Sequence, residues 1–141
     1  MSEKEVDYSR QLIKQYTYWG VYVFDNQNYL GRCVIWCDRD NALQLTDAIK
    51  EEQDELFEIL RKLKAATEKA FDADWYNFAF LGNVTSHLHG HFVPRYESKR
   101  KFAGMDFEDK LWGKKYQTDK DFVTPAEVLE KVRLEIKKYL D

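Results

Sequence analysis

Alternating apolar and polar positions divide the chain into short strand-like runs and helical segments. Four runs are rich in β-branched and aromatic residues, as is typical of β-strands: 18–24, 32–37, 75–81 and 87–95. The polar cluster 25–28 between the first two predicts a hairpin. Apolar residues then recur at helical spacing from a cap at Thr46 or Asp47 to about Phe71. This order predicts an α+β fold with a mostly antiparallel meander sheet.

The two ends of the chain have their own patterns. Residues 7–16 predict a short helix or an arm, and residues 98–122 are expected to be irregular. In the last segment Thr124 is predicted to cap a helix, Pro125 to take its first position and Glu127 to complete a capping box. The sheet is therefore expected to carry one long helix and one C-terminal helix.

The composition indicates a single folded domain over residues 1–141, with its core at about 18–96 and a C-terminal tail and helix at 97–141. The net charge of −3 argues against a nucleic-acid partner, which needs a positive surface. No apolar run is long enough to span a membrane, and no signal peptide is visible, so a cytoplasmic location is expected. Cys33 and Cys37, about 13 Å apart on one strand, are too distant for a disulfide.

All three histidines of the chain lie within five residues, at His87, His89 and His91. Because side chains alternate along a strand, the three rings are predicted to project from one face, with Leu88 and Gly90 on the other. A solvated strand face also shows alternating polar residues, but these are ordinarily threonine, lysine and glutamate rather than histidine. Imidazoles often mark functional sites, so we interpret this row as one.

Two kinds of chemistry suit a row of imidazoles. Zinc can be held by histidines, but His87 and His91 start about 13 Å apart, and the sequence marks no further carboxylate ligand. Neutral imidazole is also a nucleophile toward phosphorus, and neighbouring imidazoles cannot all be charged. One ring can therefore attack while another holds a proton for the leaving group. We favour nucleotidyl transfer without metal ligands, and keep a metal-binding protein as an alternative.

The segment 87–95 resembles the motif of the histidine triad (HIT) family, in which histidines alternate with mostly hydrophobic residues. Segments 30–35 and 81–83 extend the resemblance to about 21–95, and the tail is most similar to bacterial diadenosine tetraphosphate hydrolase-like members. The resemblance implies a HIT-like fold and a homodimer with a composite sheet. It also implies that the ligand is a purine nucleotide or a dinucleoside polyphosphate.

The resemblance further implies a reaction at the α-phosphate. His89 would be the nucleophile that forms a nucleotidyl-histidine intermediate, and water would then release the nucleoside monophosphate. His91 would lie near the leaving group, and His87 would help to orient the row. No cofactor is required for the step on His89, although Mg²⁺ can accompany a polyphosphate substrate.

Four further residues are expected to contact the nucleotide: Asn83, Asn26, Arg32 and Thr85. By the resemblance, Asn83 lies near phosphate and Asn26 near the ribose. Thr85 lies two residues before the row and has a hydroxyl that can donate to phosphate. Arg32 stands where many relatives carry a histidine. Two interpretations of it remain open, a positive charge for polyphosphate and an ion pair with an acid such as Asp25.

Two other positions depart from the family pattern. Asp40 follows Arg39 where relatives commonly have an Arg-His pair, and Gly90 stands where many have a bulky residue. A glycine in a strand leaves space on its face, so a group from the core or from a dimer partner is expected to pack there. Because Arg32 and Asp40 replace histidines, a nucleotide-binding HIT module with little turnover is a second alternative.

Overall fold

The computed structural model describes residues 9–140, and in it two helices cover one face of an antiparallel sheet. The strands of this sheet are β1 (Leu12–Gln15), β2 (Trp19–Val23), β3 (Cys33–Cys37), β4 (Trp75–Ala79) and β5 (His89–Arg95). The helices are α1 (Lys50–Phe71) and α2 (Ala126–Tyr139). The strand order is β1-β2-β3-β5-β4, so β5 lies between β3 and β4. The predicted α+β fold class is confirmed.

The two faces of the sheet are covered differently. One face packs against both helices through a core that includes Val21 and Ile35 of the sheet, Leu63 of α1 and Ile136 of α2. Neighbouring residues along each strand turn to the other face. A smaller apolar cluster forms on that face from Leu12, Tyr22, Phe24, Val34 and Trp36. Neither helix of the described residues is long and apolar enough to cross a membrane.

The start of the described chain forms a strand, where the sequence predicted a short helix or an arm. Strand β1 lies within the segment 7–16 and pairs antiparallel with β2. Asp7 and Tyr8 lie outside the described residues. Ile13 on this strand is buried in the main core. Backbone pairing with β2 and the burial of Ile13 therefore decide the conformation, because strand preference depends on packing more than on local propensity.

Helix α1 begins at Lys50, later than the cap predicted at Thr46 or Asp47. The Asp47 carboxylate accepts hydrogen bonds from two preceding backbone amides, at 3.1 and 2.9 Å, and ends a short 3₁₀ turn. The backbone N–H of Ile49 donates instead to the carboxylate of Glu52, at 3.0 Å. A side chain at Thr46 or Asp47 was expected to accept from a backbone amide at the start of the helix. Glu52, in the first turn of α1, accepts from the Ile49 amide instead.

The C-terminal segment is more regular than predicted. Two short strands within residues 98–122 pair as an antiparallel hairpin, β6 (Arg100–Phe102) and β7 (Met105–Phe107). Helix α2 begins at Ala126, one residue later than predicted. The hydroxyl of Thr124 accepts a hydrogen bond from the backbone amide of Gln27 at 2.9 Å, so it does not cap the helix. The predicted capping box is therefore wrong, because the Thr124 hydroxyl bonds to Gln27 in a distant loop and not to the first turn of α2.

Both cysteines are buried and free, as predicted. They lie at the two ends of β3, and burial raises the pKa of both thiols above the ordinary value. The Cys33 thiol donates to the carbonyl of Gly31 at 3.3 Å. Thiols that stay protonated in this way are poor nucleophiles, so they act as packing groups.

A buried ion pair joins the tail to the sheet. Arg95 at the end of β5 donates from Nε and Nη2 to the two carboxylate oxygens of Asp109, at 2.7 and 3.0 Å. The side chains of Arg95 and Asp109 are only 4% and 1% exposed. Arg95 also donates to the Asn77 side chain and to the carbonyls of Leu111 and Lys114. One guanidinium therefore fixes the start of the tail against β4 and β5.

We predict that Asp109→Asn lowers the free energy of unfolding by about 3 kcal/mol, because it leaves the buried charge of Arg95 without its counter-charge. Urea unfolding followed by circular dichroism measures this. Asp106→Asn is the matched control, since its ion pair with Lys101 is largely exposed and should contribute little. Equal effects of the two substitutions would contradict the assignment.

Candidate active site

The register between β3 and β5 builds the candidate site. In this antiparallel pair His89 lies opposite Trp36, and His91 lies opposite Val34. Trp36 and Val34 belong to the small apolar cluster, so the histidines occupy the sheet face away from the helices. Gly90 between them lies opposite Ile35, a residue of the main core. The strand period of two thus separates the histidine row from the core.

The indole of Trp36 is the surface on which two of the imidazoles stack. Its ring centroid is 4.1 Å from that of His87, with 12° between the planes, and 5.3 Å from that of His89. The rings of His89 and His91 meet edge to face at 5.5 Å. Strand β5 begins at His89, two residues later than predicted, but stacking on Trp36 keeps His87 beside the other two rings.

Hydrogen bonds to carbonyl groups fix the protons on two of the rings. Nδ1 of His89 lies 2.6 Å from the carbonyl oxygen of His87, and Nε2 of His87 lies 2.5 Å from that of Cys37. A carbonyl oxygen only accepts, so each of these nitrogens carries a proton. Neutral His89 therefore has its lone pair on Nε2, the nitrogen at the outer end of the ring.

His91 has the opposite tautomer. Its Nδ1 lies 3.2 Å from Nη2 of Arg32, and a guanidinium only donates, so Nδ1 accepts and the proton of the neutral ring is on Nε2. Burial lowers the pKa of His91 to about 3, and the charge of Arg32 acts in the same direction, as does His89 when it is protonated. The two neutral rings thus combine an Nε2 lone pair on His89 with an Nε2–H donor on His91.

The orientation of the ring nitrogens also bears on the metal-binding alternative. Nδ1 of His89 and Nε2 of His87 both donate to carbonyls, and Nδ1 of His91 faces a guanidinium. These three nitrogens are therefore occupied by other partners. In the chain from residue 9 to residue 140, no group of three or more histidine, cysteine, aspartate or glutamate side chains is placed to hold a metal ion.

Three residues that support the site were missed by the sequence analysis. Trp36 stacks on two imidazoles, and Phe24 meets the ring of His91 edge to face at 5.4 Å. Gln27 is fully buried, and its amide bonds to the backbone of the loop that joins β2 to β3. The period of two through β3 already places Trp36 on one face, but only its register with β5 shows what it meets.

The four expected nucleotide contacts lie in two regions. Asn83 and Thr85 belong to the loop before the row, where Asn83 is exposed and the Thr85 carbonyl accepts from the His87 amide at 2.9 Å. Asn26 donates to the carbonyl of Asp119 at 2.8 Å. The fourth, Arg32, is buried and donates to the tail as well as to the row. Their contacts with a nucleotide stay predictions.

Asp25, which lies near Arg32, and Asp40, which follows Arg39, have different surroundings. Burial raises the pKa of Asp25, although the charge of Arg32 acts to lower it. Asp40 is exposed at the end of β3. Its neighbour Arg39 forms an ion pair with the buried carboxylate of Glu52 at 2.9 Å. Arg39 thus attaches the end of β3 to helix α1 and lies outside the histidine row.

The space beside Gly90 is filled from within the chain, one of the two sources expected. A Cβ built on this residue would collide with the ring of Phe80. Phe80 packs against the main core, so the ring covers the strand on the side opposite the histidines. Glycine between His89 and His91 therefore allows an aromatic ring to lie directly on the backbone of the row.

The fold and the histidine row are similar to those of histidine triad proteins, as comparisons with known proteins show. Residues 32–98 match the family model described as "HIT domain". A histidine triad protein from Bradyrhizobium japonicum is similar in structure, with a TM-score of 0.74 and 18% identity over 99% of this chain and 93% of that one. No curated protein matches the chain significantly.

Two further solved structures show the range of the similarity. A histidine triad (HIT) protein from Sinorhizobium meliloti has a TM-score of 0.73 and 17% identity, over 98% of this chain and 92% of that one. The diadenosine triphosphate hydrolase of Plasmodium falciparum has a TM-score of 0.66 and 15% identity, over 95% of this chain and 78% of that one. At these identities the structural similarity establishes the fold.

We predict that Gly90→Ala lowers the free energy of unfolding by about 1–3 kcal/mol, because the added methyl group overpacks the ring of Phe80. Thermal or urea unfolding measures the loss. Phe80→Leu is the compensating change, and the double variant should recover part of the stability lost by Gly90→Ala. If Phe80→Leu gives no recovery, the packing explanation is wrong.

Proposed function

We propose that this protein is a HIT-type nucleotide hydrolase or transferase, which cleaves dinucleoside polyphosphates or nucleoside monophosphate derivatives at the α-phosphate. The observation that carries the proposal is the pair of opposite tautomers on His89 and His91. One ring offers a nitrogen lone pair to an electrophile. The ring of His91 offers an N–H group to an oxygen atom of the phosphate or of the leaving group. Both rings project from the same face of β5.

The proposed reaction has two steps on His89. Its Nε2 lone pair attacks the α-phosphorus, an N–P bond forms, and the bond from phosphorus to the leaving oxygen breaks. The ring then carries positive charge, and the hydrogen bond from Nδ1 to the carbonyl of His87 becomes stronger, which stabilises the intermediate. Water next attacks phosphorus, the N–P bond breaks, and its electron pair returns to Nε2 of His89. The attacking water loses a proton to solvent, and the nucleoside monophosphate is released.

His91 is proposed to act as a hydrogen-bond donor in this reaction. With its pKa lowered to about 3, the ring stays neutral and presents Nε2–H to the phosphate or to the leaving oxygen. Negative charge that develops on oxygen in the transition state is stabilised by a fixed donor. A polyphosphate leaves as an anion and does not need the ring's proton, so this arrangement favours polyphosphate leaving groups.

The remaining assignments complete the proposed site. His87 orients the row because its backbone carbonyl accepts a hydrogen bond from Nδ1–H of His89. Asn83 and Thr85 are proposed to contact phosphate from the loop before the row, and Asn26 to lie near the ribose. No cofactor is proposed, and Mg²⁺ enters only as a companion of a polyphosphate substrate.

We also propose a homodimer that forms along strand β4. Within residues 9–140, β4 pairs only with β5, so its other edge is open. Trp75, Phe78 and Leu81 are 66%, 47% and 65% exposed along this edge. They line a cleft of 1020 Å³ together with Trp112 and Tyr116 of the tail. An open strand edge with exposed apolar residues favours pairing with another strand, and a second copy supplies one.

We predict that His89→Ala lowers kcat on a diadenosine polyphosphate by about 10³-fold or more, because it removes the atom that bonds to phosphorus. Nucleotide affinity should change little. In the wild-type protein, rapid quenching with a slow adenylated substrate followed by mass spectrometry should find one adenylate on His89. Asp106→Asn, a surface change remote from the row in sequence, is the control.

The same measurements separate the alternatives. Tight nucleotide binding by the wild-type protein without release of monophosphate would indicate a binding module. Stoichiometric zinc after purification would support the metal-binding alternative. Full turnover by His89→Ala would contradict the proposed nucleophile.

A second prediction concerns the dimer. Trp75→Glu should convert the protein to a monomer, because a buried unpaired charge at the open β4 edge is costly. Sedimentation velocity measures the change in mass. Phe57→Glu is the control, since Phe57 is 57% exposed on helix α1 and should leave the dimer intact. A wild-type monomer at micromolar concentration would exclude the proposed dimer.

A further inference from the structure

Arg32 connects the histidine row to the tail. It directly precedes β3 and is 3% exposed. Nη2 lies 3.2 Å from Nδ1 of His91, and Nη1 donates to the hydroxyl of Thr118 at 2.7 Å. The guanidinium also lies over two aromatic rings, 4.2 Å from the centroid of Phe24 and 5.0 Å from that of Tyr116. Its plane and both terminal nitrogens are therefore defined by neighbours.

The backbone of Arg32 is fixed as firmly as its side chain. Its amide donates to the carbonyl of Tyr29 at 3.1 Å. Its carbonyl accepts from the backbone amide of Phe24 at 3.0 Å and from the side-chain amide of Gln27 at 2.9 Å. Since Gln27 is fully buried, this part of the loop cannot move without breaking hydrogen bonds that water does not replace.

We propose that Arg32 is a positioning residue, which donates to Nδ1 of His91 and so holds that ring in the tautomer with its proton on Nε2. The tail takes part, because Thr118 and Tyr116 set the orientation of the guanidinium. The inference deepens the proposed function, on which it rests: it assigns to Arg32 a role through His91 in place of direct contact with the nucleotide.

The chemistry of arginine explains why this residue type suits the role. A guanidinium cannot accept a hydrogen bond, so a ring nitrogen facing it must be the acceptor. Its planar fork reaches Thr118 and His91 at once, from two separate nitrogens. A lysine offers a single donor nitrogen, and a histidine can donate or accept. Arginine therefore fixes the tautomer with one terminal nitrogen and bonds to the tail with the other.

The charge of Arg32 has a second effect on His91. A positive group beside the ring opposes its protonation, in the same direction as burial and the charge of His89. Neutral His91 with an Nε2–H group is the form that the proposed reaction uses as a donor. Arg32 thus adds to the effect of burial on the charge state of His91, and it fixes the tautomer of the same ring.

Nitrogen-15 NMR of the imidazole rings tests the proposal on the protein without substrate. The chain has three histidines, all in the row, so the spectrum contains three rings. In the wild-type protein at neutral pH, we expect Nε2 of His91 to be protonated and Nδ1 to be bare. Arg32→Met should shift the tautomer ratio of His91 at least about tenfold toward Nδ1–H, because a charge-assisted hydrogen bond is lost.

Two variants and one internal reference sharpen this test. Arg32→Lys keeps a charge and a donor, and should retain most of the Nε2–H form. Thr118→Val removes the other partner of the guanidinium while Arg32 remains, and should give a smaller shift in the same direction. It also tests the role of the tail if Arg32→Met does not fold. The tautomer of His89, set by the carbonyl of His87, should stay unchanged in every variant.

Steady-state kinetics then separate positioning from direct binding. Loss of positioning should lower kcat of Arg32→Met with little change in KM, whereas loss of a phosphate contact would raise KM. A bare Nε2 on His91 in the wild-type protein would overturn the proposal, as would an unchanged tautomer in both Arg32→Met and Thr118→Val. Because the NMR experiment needs no turnover, an inactive wild-type protein would contradict the proposed function without touching this result.

Discussion

Backbone pairing between β3 and β5 is the constraint on which the candidate site depends. The register places His89 opposite Trp36 and His91 opposite Val34. A slip of one residue would turn the histidines toward the helix-covered core and expose the apolar residues between them. Two features oppose such a slip: the main core holds Ile35 on the helix side, and the ring of Phe80 lies against Gly90.

The helix-free face gives the imidazoles an environment between core and solvent. Trp36 and Phe24 supply apolar contact to the rings, while carbonyl groups and a guanidinium satisfy one nitrogen of each ring. An imidazole in these surroundings loses solvation without losing its hydrogen bonds. Burial lowers the pKa of His91 for this reason, and the fixed partners determine which nitrogen of His89 keeps its lone pair.

Sequence pattern was sufficient for the features that depend on periodicity. Runs of β-branched and aromatic residues predicted strands at β2 to β5, and helical spacing predicted α1 as far as Phe71. The errors occur where a distant partner decides: Thr124 was assigned as a cap, but its hydroxyl accepts from Gln27. The two interpretations of Arg32 stayed open for the same reason, because Thr118 lies 86 residues away along the chain. The residues next to Arg32 in the sequence give no indication of a contact with Thr118.

The tail belongs to the site although it contributes no histidine. It contacts the rest of the chain through Asn26 to Asp119, through the Tyr29 hydroxyl to the amide of Gln117, and through the Arg95–Asp109 ion pair. These contacts hold the segment that presents Thr118 and Tyr116 to Arg32. The part of the chain that matches the family model ends at residue 98, before any of these tail residues. The matched region therefore carries the histidine row, whereas the surroundings of His91 are completed by the segment that follows this region.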